Sequence, residues 1–81
     1  MDLPPLRRYA DRSGRSGVAA YALLPDGLLV RFVDGGLYLY DAVRPGARHV
    51  AQMRRLAGEG EGLATYISRH VGTNYRARLV D

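Results

Sequence analysis

The two histidines are the residues best suited to acid–base chemistry, and neither has the neighbours that this chemistry requires. His70 lies within the apolar stripe of a predicted helix, where we expect a half-buried, hydrogen-bonded side chain, and His49 lies on the flank of an earlier helix. Ser68 is two residues from His70, so the two side chains would leave a helix in different directions, and no acid lies nearby to orient the imidazole. We therefore predict that the protein is not an enzyme and has no catalytic residue.

Metal and cofactor binding also lack a recognisable set of residues. The chain has no cysteine, which excludes disulfides, thiolate ligands and a cysteine nucleophile. Two histidines and the scattered turn residues Asp26 and Asp34 do not provide the converging ligands of a metal site. We expect no metal and no cofactor.

Arginine supplies all the basic charge of the chain. Twelve Arg and no Lys stand against eight acidic residues, for a net charge of +4. The planar guanidinium suits bidentate contacts with phosphate, so this composition favours a nucleic-acid partner, although codon bias in a GC-rich genome gives the same enrichment. The positions of the arginines along the chain are more informative than their number, because residues 44–57 contain four arginines and no acid.

These arginines belong to a helix predicted over residues 46–57. Pro45 suits a first helical turn, and apolar residues recur at three- and four-residue steps, namely Ala47, Val50, Met53 and Ala57. The opposite side, which we call the arginine ridge, consists of Arg44, Arg48, Gln52 and Arg55. The ridge is either a phosphate-binding surface or the ordinary charged face of a surface helix. After a linker, "GEGEG" at 58–62, a second helix is predicted over 63–71.

Three short strands precede the helices. "VAAYALL", "LLVRFV" and "LYLYDAV" are separated by Pro25-Asp26-Gly27, with Gly27 expected to be left-handed, and by Asp34-Gly35-Gly36. The fold class is therefore α+β, a three-stranded antiparallel meander followed by two helices packed on one face (β-β-β-α-α). Residues 1–16, rich in Pro, Arg, Ser and Gly, are predicted to be a flexible arm before a single domain at 17–81.

Alternation along the strands assigns the two faces of the sheet. We pair Phe32 with Tyr38 and Val30 with Tyr40, while the register of the first hairpin, and with it the face of Tyr21, stays open. The core face then holds Leu28, Val30, Phe32, Tyr38 and Tyr40. The outer face holds Leu29, Arg31, Val33, Leu37 and Leu39. Its apolar members, Leu29, Val33, Leu37 and Leu39, favour a homodimer, unless the arm packs on them or the surface is simply apolar.

The central "LLVRFVDGGLYLYDAV" and the later "YISRHVGTNY" resemble the KTSC domain, a family of roughly 60 residues named after the C-terminal region of some lysyl-tRNA synthetases and also found as stand-alone bacterial proteins. The resemblance covers residues 17–75 and depends on the family-motif residues Tyr38, Tyr40, His70 and Tyr75. It implies the fold more than the function, and its association with the synthetase suggests RNA. The acidic loop at 58–62 departs from the family, in which this loop is small, polar and basic.

The function we expect is a small non-catalytic module that binds RNA, as tRNA or single strand, or another nucleic acid. Arginines would neutralise phosphates while an exposed tyrosine stacks on a base; these arginines are Arg44, Arg48, Arg55, Arg69, Arg76 and Arg78. The alternative is a protein-interaction or homodimerisation module. No signal-like run lies in the first 30 residues and no stretch approaches the roughly 20 apolar residues of a membrane span, so we expect a cytoplasmic protein without a membrane partner.

Overall fold

A computed structural model describes residues 4–80. Within these residues the chain forms two short strands near its ends, three longer strands and two helices, in the order β1 (Arg7–Arg8), β2 (Val18–Leu24), β3 (Gly27–Phe32), β4 (Leu37–Asp41), α1 (Ala47–Glu59), α2 (Leu63–Tyr66) and β5 (Ala77–Val80). A turn of π-helix, Ile67–Val71, continues α2. Residues 1–3 of the predicted arm and residue 81 of the predicted domain lie outside the described residues.

The α+β class is confirmed, but the sheet has five strands rather than the predicted three. The strands follow chain order, β1-β2-β3-β4-β5, and each is antiparallel to its neighbours. The two additional strands come from the ends of the chain. Neither has the length or alternation that identifies a strand in sequence, since β1 is a two-residue arginine pair.

The faces of the central strands were predicted correctly, but their register was not. Tyr40 lies opposite Leu28 and Tyr38 opposite Val30, and the Phe32 N–H donates to the Gly36 carbonyl at 2.8 Å. The predicted pairs are displaced by two residues, a shift that leaves every side chain on the same face. Leu28, Val30 and Tyr40 are therefore in the core, with Phe32 and Tyr38 half-buried at its edge.

The first hairpin has a two-residue turn, Pro25-Asp26, because Leu24 pairs directly with Gly27. Gly27 starts β3 and is not left-handed, contrary to the prediction. The position needs glycine because a Cβ would overlap the carbonyl oxygen of Tyr40 on the neighbouring strand. This register turns Tyr21 toward the core, where it is buried.

Both helices pack on the core face of the sheet, as predicted. Val50, Met53 and Ala57 of α1 are buried with Leu63, Ile67 and Val71 of the second helical segment. Pro45, however, precedes the N-cap residue Gly46 and is not in the first turn. The helix also extends two residues into the predicted linker and ends at the left-handed Gly60, whose N–H donates to the Leu56 and Ala57 carbonyls.

The described part of the predicted arm, residues 4–16, packs against the rest of the fold. Arg7 pairs with Tyr21, and Tyr9 is only 3% exposed, with its hydroxyl accepting the Leu63 N–H at 3.3 Å. Arg12 donates its backbone N–H to the Gly60 carbonyl at 2.8 Å and its Nε–H to the Glu59 carbonyl at 2.7 Å. The arm thus joins β2 to the end of α1.

The outer face of the sheet carries its own small apolar cluster. Ala22, Leu29 and Leu37 are buried, the two leucines being 1% and 3% exposed. The residues packed around them are Leu6, Leu24 and Leu39. Val33, by contrast, is 69% exposed beside the second turn. None of the helices within residues 4–80 combines the length and apolarity needed to cross a bilayer.

Candidate nucleic-acid interface

Arg54 has a structural role within the arginine-rich segment. Its Nη1 donates to the Gly27 carbonyl at 2.9 Å and also to the Leu24 carbonyl. These bonds attach α1 to the turn between β2 and β3 and satisfy two carbonyls that border the turn. The charge of Arg54 is therefore directed at the protein itself.

Arg55 is paired, which divides the predicted arginine ridge. Its Nη1 lies 2.6 Å from Glu59 Oε2 one turn further along α1, and its Nε donates to Gln52 Oε1 at 3.3 Å. Both charged side chains are about half exposed, so the pair contributes little to stability, but it neutralises the cation. Arg55 also lies about 10 Å along the helix axis from Arg48.

Arg44 and Arg76 lie where the loop before α1 meets the loop before β5. Arg44 Nε donates to Asn74 Oδ1 at 3.1 Å, and Arg76 Nε lies 3.4 Å from Asp41 Oδ2. The other oxygen of Asp41 accepts the backbone N–H groups of Val43 and Arg44. This junction holds two guanidinium groups and one carboxylate, so it keeps a net positive charge.

Arg48 and Arg69 are exposed, and neither has an ion pair within residues 4–80. Each directly precedes a histidine, so the chain contains two Arg-His dipeptides, 48–49 at the start of α1 and 69–70 in the π turn. The two dipeptides meet at Tyr66. A hydrogen bond of 2.7 Å joins His49 Nδ1 to the Tyr66 hydroxyl, and the ring of Tyr66 lies 4.8 Å from that of His70.

His70 is exposed, which corrects the prediction of a half-buried histidine. The π turn explains the difference, because the Gly72 N–H donates to the Ile67 carbonyl five residues back and the turn is wider than an α-helical one. Ile67 and Val71 consequently face the core. The half-buried, hydrogen-bonded histidine is His49, whose contact with Tyr66 was not predicted.

Arg78 packs on a second group of aromatic rings, on the core side of β4 and β5. Its guanidinium carbon lies 5.6 Å from the ring centroid of Tyr38, within the range of a cation–π contact. The Tyr38 ring lies 5.5 Å from that of Phe32 and 4.8 Å from that of Tyr75. These three aromatic side chains help to line a shallow cavity of about 230 Å³.

The four family-motif residues do not form one site. Tyr38 and Tyr75 contact each other, while Tyr40 is buried beneath them and His70 packs on Tyr66. Burial raises the pKa of the Tyr40 phenol well above its ordinary value, with Tyr38 and Tyr75 adding to the effect. Tyr40 therefore stays neutral and has a core role, while Tyr38, Tyr66 and Tyr75 keep part of their surface accessible.

The predicted site residues thus separate into three groups. Arg44, Arg48, Arg69 and Arg76 border the start of α1 and the end of the π turn, and we call this set the basic end. Arg55 is paired further along α1, and Arg78 lies on Tyr38. Across the described part of the chain, no group of three or more potential ligand side chains could hold a metal ion.

Comparisons with family models, curated proteins and solved structures found no match for the chain. The resemblance to the KTSC family therefore stays a prediction from the two sequence segments.

Proposed function

We propose that the protein is a small, non-catalytic module that binds nucleic acid, with RNA as the favoured ligand, through the basic end. The observation that carries this proposal is the exposure of Arg48 and Arg69 and the availability of their charges. Both residues are exposed, neither is in an ion pair within the described residues, and packing around Tyr66 holds their helical segments together. Two exposed cations on helical segments that aromatic side chains join suit a ligand with phosphates and bases.

Arg44 and Arg76 extend this surface rather than define it. Each already has a polar partner, Asn74 for Arg44 and Asp41 for Arg76, which fixes the position of the guanidinium without fully cancelling the local charge. Arg55 and Arg78 are left out of the proposed contacts, because one is neutralised by Glu59 and the other packs on an aromatic ring.

A homodimer through the outer face of the sheet stays an untested prediction and is the weaker candidate. Leu29 and Leu37, two of the four residues expected to form it, are already buried within the single chain. Little apolar area at these positions is left for a partner to cover. The KTSC relationship and the cytoplasmic location are likewise proposed on sequence grounds alone.

The test is a salt-dependent binding titration with tRNA, single-stranded RNA and duplex DNA. The double variant Arg48→Ala/Arg69→Ala is compared with Arg7→Ala/Arg15→Ala, which removes the same charge from two exposed positions on the arm. Each phosphate contact contributes about 0.7 to the log–log salt slope on a single strand, so the first variant should reduce the slope by about 1.4.

The arm variant should leave the slope unchanged. An equal loss in both double variants would mean that only net charge attracts the polyanion, and the proposal of a defined interface would be wrong. Absence of binding by the unmodified protein at low salt would contradict the function altogether.

A further inference from the structure

We infer that His70, supported by Tyr66, is a stacking site for an unpaired nucleobase, so that the ligand of the basic end is single-stranded. This inference rests on the proposed function and names the form of nucleic acid that the interface selects. It depends on a row of three rings that the fold assembles from two helical segments: His49, Tyr66 and His70.

The contacts between His49 and Tyr66 fix the inner part of the row of rings. Tyr66 is half-buried beside the core, and its hydroxyl is held by His49 Nδ1 at 2.7 Å. The His49 ring meets the Tyr66 ring edge-on at 5.8 Å. With a hydrogen bond and a ring contact on the same residue, Tyr66 has little freedom to change rotamer, and it gives His70 a rigid support.

The outer end of the row is accessible. The His70 ring is tilted by 42° against Tyr66 at a centroid distance of 4.8 Å, yet the residue remains exposed. The π turn that carries it is anchored by the buried side chains of Ile67 and Val71 and closed by the 2.6 Å bond from the Gly72 N–H to the Ile67 carbonyl. The turn therefore presents an imidazole face to solvent from a fixed backbone.

An exposed cation is next in sequence to each histidine of the row. Arg69 directly precedes His70 and Arg48 directly precedes His49, and both are unpaired within the described residues. Proteins that bind single strands combine such charges with rings on which bases stack, including histidine rings. In a duplex the base faces are already stacked on their neighbours, so His70 could not stack on them.

The experiment measures the affinity of a fluorescently labelled single-stranded oligoadenylate, the same RNA in a duplex, and inorganic polyphosphate as a ligand with charge but no bases. His70→Ala should weaken binding of the single strand about ten-fold, because loss of one stacking partner has an effect of this size. It should leave the salt slope and the affinity for polyphosphate unchanged. His70→Phe should restore single-strand affinity to within about two-fold of the unmodified protein, since it replaces the ring.

Ser68→Ala is the matched control, an exposed change in the same π turn that should leave all three affinities unaltered. If the unmodified protein binds the oligoadenylate with a steep salt slope but His70→Ala binds it equally well, the stacking site is wrong while the proposed function stands. If His70→Phe binds the single strand as weakly as His70→Ala, the inference is also overturned, because the charge or hydrogen bonding of His70, and not stacking, would then account for its contribution to binding. If the unmodified protein binds none of the ligands, the proposed function itself fails.

Discussion

Substitution of Gly60 by alanine tests how the N-terminal arm is attached to the helices. Gly60 ends α1 in the left-handed region, with φ of +74°, and a Cβ there would overlap the Cβ of Ala10 in the arm. The same residue accepts the Arg12 N–H through its carbonyl at 2.8 Å. The alanine side chain would therefore meet strain in the backbone and a collision with the arm.

Gly62 provides the matched control, because it has the same strain without the collision. Its φ is +87°, and an added Cβ would make only an ordinary contact, 3.6 Å from Leu56 Cδ2. An alanine in the left-handed region costs about 1–2 kcal/mol of backbone strain. The stiffer unfolded chain offsets about 0.4–1 kcal/mol of this cost, so we expect Gly62→Ala to be about 1 kcal/mol less stable than the unmodified protein. The collision at Gly60 adds an overpacking cost of about 1–3 kcal/mol, so we expect Gly60→Ala to lose about 2–4 kcal/mol.

Urea denaturation followed by circular dichroism measures both free energies of unfolding. Ala10→Gly in the Gly60→Ala background should recover most of the difference between the two variants, because it removes the atom that Gly60→Ala would strike. Equal stabilities for Gly60→Ala and Gly62→Ala, or no recovery on adding Ala10→Gly, would refute the packing of the arm against the end of α1.

Two further predictions concern groups in the fold that supports the interface. Arg54→Met should lower the free energy of unfolding by about 1.5–3 kcal/mol in urea titrations, because the carbonyls of Leu24 and Gly27 lose a charged donor. If Arg54→Met and Arg55→Ala are equally stable, the structural role of Arg54 is contradicted. Because burial raises the pKa of Tyr40 in the folded state, the folded protein holds this proton more tightly than the unfolded chain, and stability should fall as the pH rises above the unfolded value of about 10. Tyr40→Phe should reduce this alkaline loss in thermal melts, and an unchanged pH dependence would show that Tyr40 is not its source.

Alternation and spacing were sufficient for the central part of the fold. The three middle strands, the core side of β3 and β4 and the buried positions of α1 follow from periods of two and of three to four residues, which are local properties of the sequence. The wrong pairing of Val30 and Tyr40 did not affect the assignment of faces, because the error was a shift of two residues and alternate residues share a face. The strands at the ends of the chain lack such a period, and their pairing depends on contacts with distant residues.

The arginines of the candidate site were only partly predictable. Arg48 and Arg69 were selected by charge and helical position, and neither has an ion pair within residues 4–80. Arg55 was selected in the same way but is paired, because α1 extends far enough to place Glu59 one turn after it. Arg54 could not be recognised as structural, because its acceptors are carbonyls 27 and 30 residues away. The repeated Arg-His dipeptide was a signal in the sequence, yet only the packing of the π turn against α1 brings both copies to Tyr66.

The most direct test of the proposed interface is a heteronuclear NMR titration of the labelled protein with single-stranded oligoadenylate at low salt. We predict that backbone and side-chain shifts change most in two segments far apart in sequence, at Arg48 and His49 and at Arg69 and His70, with smaller changes at Arg44 and Arg76. Shifts concentrated on the arm at Arg7 to Arg15, or spread evenly over all exposed arginines, would contradict the interface.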